Sequence, residues 1–456
     1  MKVLLVLYCA FLCIAGFGQL KPVFTFQQDD SVVKKNYYQQ ALLQKNTTLN
    51  SLPKENKDDY KKIYEHRFEE IEGLLKSSRS VTSTEANNYL QSVVQKIITA
   101  NPELKGMELR VVFSRDWWPN AYSMGEGTIA FNAGLFVFLS NEAELVYVLS
   151  HELAHYYLDH SGKAIKKYVE TVNSEELQKE LKRVVNQEYR VNEQLDKLTQ
   201  NLLFDSRRHS RSNEAEADKF AYRFMKNTGY DCHAIISTLQ LLNNVDDTSL
   251  FQPLQVEQVF NFVTYPFKKK WIQKESVIFS DLNEEDSPLT LTEKDSLKTH
   301  PDCTKRIALL EDSINLLGNN GKTFLVNENL FRQLKKDFLA EMAEECYKEE
   351  NLSRNLYNSL LLLQAGEHIP MAVYSVSRCL NTIYEKQKRH KLGLAIDAES
   401  KNFPADYNML LRMLGKLRLD EIAAINYNFC KQYQQQMKDY AGFAEEMDIA
   451  YGFNKE

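Results

Sequence analysis

The sequence predicts a mainly α chain with a small β-sheet, followed by a second, α-helical part at the C-terminus. Three observations carry this reading. Amphipathic stripes at helical spacing fill much of residues 21–105 and return beyond 325, two short apolar strands lie between 109 and 131, and Leu317-Gly318-Asn319-Asn320-Gly321 interrupts the pattern. A chain of 456 residues with 43% hydrophobic content is long enough for a full core and for two domains.

At the N-terminus, Met1-Lys2 precedes an apolar run from Val3 to Leu12, with small residues at Gly16 and Gly18. This is the pattern of a signal peptide over residues 1–18, cleaved after Gly18. The run is too short and too one-sided for a comfortable membrane span. Leu12 before Cys13 argues against lipoprotein processing. The expected location is therefore outside the cytoplasm, in the periplasm or cell envelope or secreted. Beyond the leader stand Cys232, Cys303, Cys346, Cys379 and Cys430, an odd number that leaves at least one thiol without an intrachain partner. Cys232 and Cys303 could be bridged, although spacing does not establish it.

Further along, Tyr60, Ile63, Phe68 and Ile71 make one helical stripe and Leu90, Val93, Val94 and Ile97 another. Leu109 to Phe113 reads as a strand, Asp116-Trp117-Trp118-Pro119 as a turn, and Thr128 to Phe131 as a second strand bounded by Gly127 and Gly134. A helix then starts at Asn141, with Glu144 three residues on, and runs without Pro or Gly to about His160. Residues 163–205 read as a charged helical hairpin. Residues 245–298 hold Phe251, Phe260, Phe262, Tyr265, Phe267 and Trp271 among prolines, either as a lid or substrate groove or as a packed surface excursion. The Lys268-Lys269-Lys270 run within them reads as a solvated loop. Residues 325–456 read as five or six helices without a catalytic motif, with a weak internal period of the kind stacked helix-pair repeats show.

The chemistry is concentrated in His151-Glu152-Leu153-Ala154-His155. Two histidines four apart project side by side from a helix and can grip one zinc ion, with Glu152 placed as general base. Catalytic zinc wants a third protein ligand and an open position. Glu214 is the candidate, on a helix that also carries Glu216 and Asp218. Glu214 and Asp218 share a face, so that one can bind metal while the other steers a ligating histidine, and Glu216 points elsewhere. His160 lies five residues beyond His155 and so rotates off the shared face, and it reads as a hydrogen-bonded helix-terminal residue. His209 and His233 read as structural.

The chain resembles the gluzincin metallopeptidases of the HtpX and CAAX prenyl protease family, most of all their soluble, exported bacterial members of the BepA type. Four blocks carry the resemblance over residues 60–315: Asn120-Ala121-Tyr122 up to Gly134-Leu135, His151 to His155 with His160, the segment from Ser210 to Asp218, and Thr299-His300-Pro301 followed by Arg306. It implies a zincin-type catalytic domain with one zinc ion per chain, held by His151, His155 and Glu214. Glu152 would activate water and Asp218 would support the ligands. His300 reads either as a helix start or as a gate over the open zinc position. The oxyanion donor stays open among His300, Arg211 and Arg306. An edge strand around Thr128 to Phe131 would pair with an extended substrate, with Gly125 and Gly127 letting the foreign backbone approach.

The expected organisation is a signal peptide over 1–18, a metallopeptidase domain over 19–317 and a helical C-terminal domain over 322–456. The expected function is zinc-dependent cleavage of cell-envelope proteins in quality control. The rival is a chaperone-like envelope protein with slow or incidental proteolysis. The resemblance implies protein or peptide substrates, with the C-terminal helices open to envelope partners. A net charge of -6, from 56 basic and 62 acidic residues, leaves no basic field to recruit nucleic acid.

Overall fold

A computed structural model describes residues 20–185, 211–244, 253–274, 303–318, 320–400 and 403–455. The signal-peptide reading, His209, Ser210, His300, most of the expected lid and the second half of the 163–205 hairpin lie outside them.

The chain opens with an antiparallel pair of helices, α1 (Ser31–Asn50) and α2 (Lys57–Lys76), followed by α3 (Thr84–Ala100). Four short strands make a sheet in the order β1 (Ser80–Val81), β2 (Arg110–Ser114), β4 (Thr128–Asn132), β3 (Ala121–Gly125). β2 and β4 run parallel, in register from Arg110 opposite Thr128 to Ser114 opposite Asn132, while β1 and β3 are antiparallel to their neighbours. Side chains alternate between two buried faces. Val112 and Ala130 pack on Phe68, Ile71 and Leu74 of α2, whereas Val111, Phe113, Ile129 and Phe131 face the main core. A sheet covered on both sides explains why β2 and β4 read as continuous apolar runs.

Beyond the sheet come α4 (Glu142–Tyr157), α5 (His160–Val172) and α6 (Glu175–Val185), then α7 over residues 211–226, α8 (Ala234–Asn244) and α9 (Cys303–Asn315). Asn141 caps α4 by accepting from the Glu144 N–H at 3.1 Å, as the sequence signal requires. From Glu142 to Ala154 every residue of α4 is buried, so this helix forms the axis of the domain.

The C-terminal part is α10 (Glu328–Lys348), α11 (Leu352–Ala365), α12 (Ile369–Lys388), α13 (Ala405–Lys416), α14 (Leu419–Met437) and α15 (Phe443–Phe453). The fold is thus mainly α with a small sheet and a helical C-terminal part. Packing does not break at residues 317–322. Phe331, Leu334, Phe338 and Met342 of α10 belong to the core of the sheet and α4, while Ala340 and Ala343 pack against α11 and α12. Of the two readings of residues 245–298, the described stretch 253–274 fits the packed excursion and not a lid or groove. Leu254, Phe260, Phe262 and Trp271 are enclosed among Leu356, Leu360, Tyr407 and Leu410 of the C-terminal helices. The lysine run pins this segment, because Lys268 and Lys270 both reach Glu421, at 3.2 and 2.8 Å. No described helix is long and apolar enough to cross a membrane. The five described cysteines are buried and none is in a disulfide, so no bridge joins Cys232 to Cys303.

Candidate metal centre and active site

Helix α4 presents His151 and His155 on one face, and α7 brings Glu214 across to them. The Glu214 carboxylate lies 3.4 Å from His151 Nε2 and 3.3 Å from His155 Nε2, and the two Nε2 atoms are 3.0 Å apart. One donor atom from each residue falls within 4.8 Å of the others, a spacing that one metal ion can span. Two imidazoles and one carboxylate form the donor set of a catalytic zinc site with a position left for water or substrate. The residues therefore fit the metal.

Each member is held from behind. Asp218, one turn after Glu214, sets Oδ1 2.8 Å from His151 Nδ1 and accepts a hydrogen bond from the Tyr147 hydroxyl at 2.8 Å. Arg306, on α9, donates to both Asp218 oxygens, from Nε at 2.6 Å and from its second terminal nitrogen at 2.8 Å. Its remaining nitrogen stands 3.1 Å from Glu214. This last contact is ionic and lacks directed hydrogen-bond geometry. The guanidinium is thus committed to two carboxylates and is only 3% exposed, which removes Arg306 from the candidate oxyanion donors. Arg211 stands at the start of the described part of α7.

Burial alone would lower the His151 pKa, but Asp218 and Glu214 outweigh it and raise the imidazole to about 10. Burial would likewise raise the Asp218 carboxyl, yet Arg306 and His151 hold it well below the usual carboxylate range. Glu152 is buried at the same site, and desolvation raises its pKa against the opposing pull of His151 and His155. A carboxylate raised from its ordinary value is better matched to taking and returning a proton near neutrality. Its Oε2 accepts the Ser123 N–H of β3 at 2.7 Å.

That bond corrects the expectation for the edge strand. β4 is interior, paired on both sides, and the edge strand next to it is β3, which composition left unread because Ala121-Tyr122-Ser123-Met124-Gly125 is short and weakly apolar. Gly125 and Gly127 serve the chain itself. Gly127 has φ +72° and a Cβ there would stand 2.0 Å from the Glu108 carbonyl oxygen, while a Cβ on Gly125 would meet the Arg67 side chain. The Asn120 carbonyl accepts from the Asn132 N–H at 3.0 Å, which fixes the start of the same hairpin.

His160 is a hydrogen-bonded helix-terminal residue as expected, but it is not turned away from the site: its Nδ1 lies 2.9 Å from His155 Nδ1, and Glu216, expected to point elsewhere, sets Oε2 3.2 Å from His160 Nε2. The reason is that α4 ends at Tyr157. Asp159 takes a left-handed conformation with φ +51°, and α5 begins at His160. The helical rotation that would carry position 160 away stops at the break. His233 pairs with Asp231 at 2.8 Å, a local contact.

With this geometry in view, a further observation decides the family: the description of peptidase family M48 matches residues 84–314, half of the chain. The chain belongs to peptidase family M48. The matched stretch contains His151, Glu152, His155, Glu214 and Asp218 together with the sheet and Arg306. No curated protein matches the chain. Membership makes the chain a zinc-dependent metallopeptidase, a hydrolase acting on protein or peptide substrates.

Proposed function

We propose that this M48 peptidase is an exported endopeptidase of the BepA-like type, acting on cell-envelope proteins in quality control. His151, His155 and Glu214 would hold the zinc, Glu152 serves as general base and acid, and Asp218 orients His151. The single observation that carries the catalytic assignment is the position of Glu152. It is next to the three donors and hydrogen-bonded to the edge strand β3. The leader-like N-terminus supports export.

Bound at the three donors, zinc would supply Lewis acidity to a substrate carbonyl and make a water molecule more acidic. The residues do the rest. Glu152 takes a proton from the attacking water and delivers one to the leaving amine. The Asp218 carboxylate keeps the His151 ring aligned through Nδ1 and is itself neutralised by Arg306. β3, paired only with β4 among the described residues, offers a main-chain edge beside Glu152 to an extended peptide, which would make side-chain selection loose.

The test is cleavage of an unfolded protein by the zinc-loaded wild type and by Glu152→Gln. The variant is expected to bind zinc as the wild type does while hydrolysis falls by at least ~100-fold. Full biological activity with hydrolysis lost would instead favour the chaperone-like reading.

A further inference from the structure

We infer that His160 and Glu216 form a positioning relay that fixes the tautomer and ring orientation of His155. This rests on the proposed ligand set. Three contacts define the chain: Glu216 Oε2 to His160 Nε2 at 3.2 Å, His160 Nδ1 to His155 Nδ1 at 2.9 Å, and His155 Nε2 beside Glu214 at 3.3 Å. The two rings stand edge to face, with centroids 4.9 Å apart.

The proton positions follow from the donor and acceptor inventory. A carboxylate only accepts, so His160 presents N–H at Nε2 and a bare lone pair at Nδ1. That lone pair requires N–H at His155 Nδ1, which leaves His155 Nε2 unprotonated and directed toward Glu214 and His151. At His151 the carboxylate of Asp218 stands directly beside Nδ1, at 2.8 Å, as an ionic contact without directed hydrogen-bond geometry. The two histidines are therefore served differently, one by a buried carboxylate and the other by a half-exposed carboxylate acting through a second imidazole. Asp159 makes the arrangement possible. Its left-handed backbone breaks the helix, and its side chain caps α5 by accepting from the Gly162 N–H at 3.1 Å.

The experiment measures zinc affinity of the full chain by competition with a chromophoric chelator, with unfolding of each metal-free variant as the check on folding. His160→Phe keeps the ring volume and removes both hydrogen bonds, and affinity is expected to fall ~10–100-fold. His160→Asn restores an acceptor close to the Nδ1 position and is expected to recover most of that loss, even if the phenylalanine variant folds poorly. Glu216→Ala is expected to lie between wild type and His160→Phe. Wild-type affinity in His160→Phe, or a well-folded His160→Asn no better than it, overturns the assignment. A wild type that binds no zinc defeats the ligand set and the relay together. Tight wild-type binding with an unimpaired His160→Phe defeats the relay alone.

Discussion

Asp218 meets three partners at once, the Tyr147 hydroxyl, the His151 ring and the Arg306 fork, in surroundings where it is only 2% exposed. A buried carboxylate is tolerable only when its charge is matched, so Arg306 is structural before it is catalytic. Arg306→Ala should destabilise the metal-free protein by ~3–5 kcal/mol in urea unfolding, because Asp218 and Glu214 lose their shared cation. His151 supplies a second expectation. Its metal-free pKa is raised from 6.5 to about 10, so the protonated ring's contribution to stability is complete below pH 6.5 and fades as pH rises through about 10. Zinc loading at pH 8 must displace that proton. Calorimetry in buffers of different ionisation enthalpy should show about one proton released, with affinity tightening as pH rises. The i, i+4 pair His151 and His155 was legible because it is local to one helix, and Glu214 was legible through its own motif. For His160 the hydrogen-bonded helix end was legible but the contact with His155 was not, since that depends on one residue's backbone angle, and Arg306 could be seen only as a loose candidate because its partners lie far away in the chain.

At the scale of elements, the hairpin of β3 and β4 shows how a turn sets the site. Gly125, Glu126 and Gly127 all have positive φ, which tightens the turn and swings β3 beside α4. Gly127→Ala is expected to cost more than ~1 kcal/mol, from the strained conformation and from contact with the Glu108 carbonyl. Denaturant unfolding measures the loss. A displaced β3 should also weaken the Ser123 bond to Glu152 and lower hydrolysis in the same variant. The strands β2 and β4 could be read from apolar runs, whereas β3 could not. Its burial is uneven, and its strand character comes from pairing with β4 rather than from propensity.

Across the whole molecule, α10 is shared by two cores and anchored by a buried carboxylate on α4. Glu142 accepts from the Leu325, Val326 and Asn327 N–H groups at 2.8, 2.9 and 2.7 Å and from the hydroxyls of Tyr89 and Tyr230. A chain ending at residue 321 loses the three backbone donors along with Phe331, Leu334 and Phe338, each at most 1% exposed. It should be insoluble or show no cooperative thermal transition, in contrast to the full chain. The glycines near 320 mark a real turn in the sequence. They could not reveal that the following helix completes the preceding core, because that depends on which face α10 turns inward.

The excursion of residues 253–274 also has a consequence for synthesis. Trp271 leaves the ribosome before the helices from Leu352 to Leu417 that enclose it, and Lys21 near the start pairs with Tyr440 near the end. The nascent chain therefore carries an uncovered aromatic segment until the helices up to Leu417 have emerged, and a chain stalled or clipped before them exposes a sticky surface of its own.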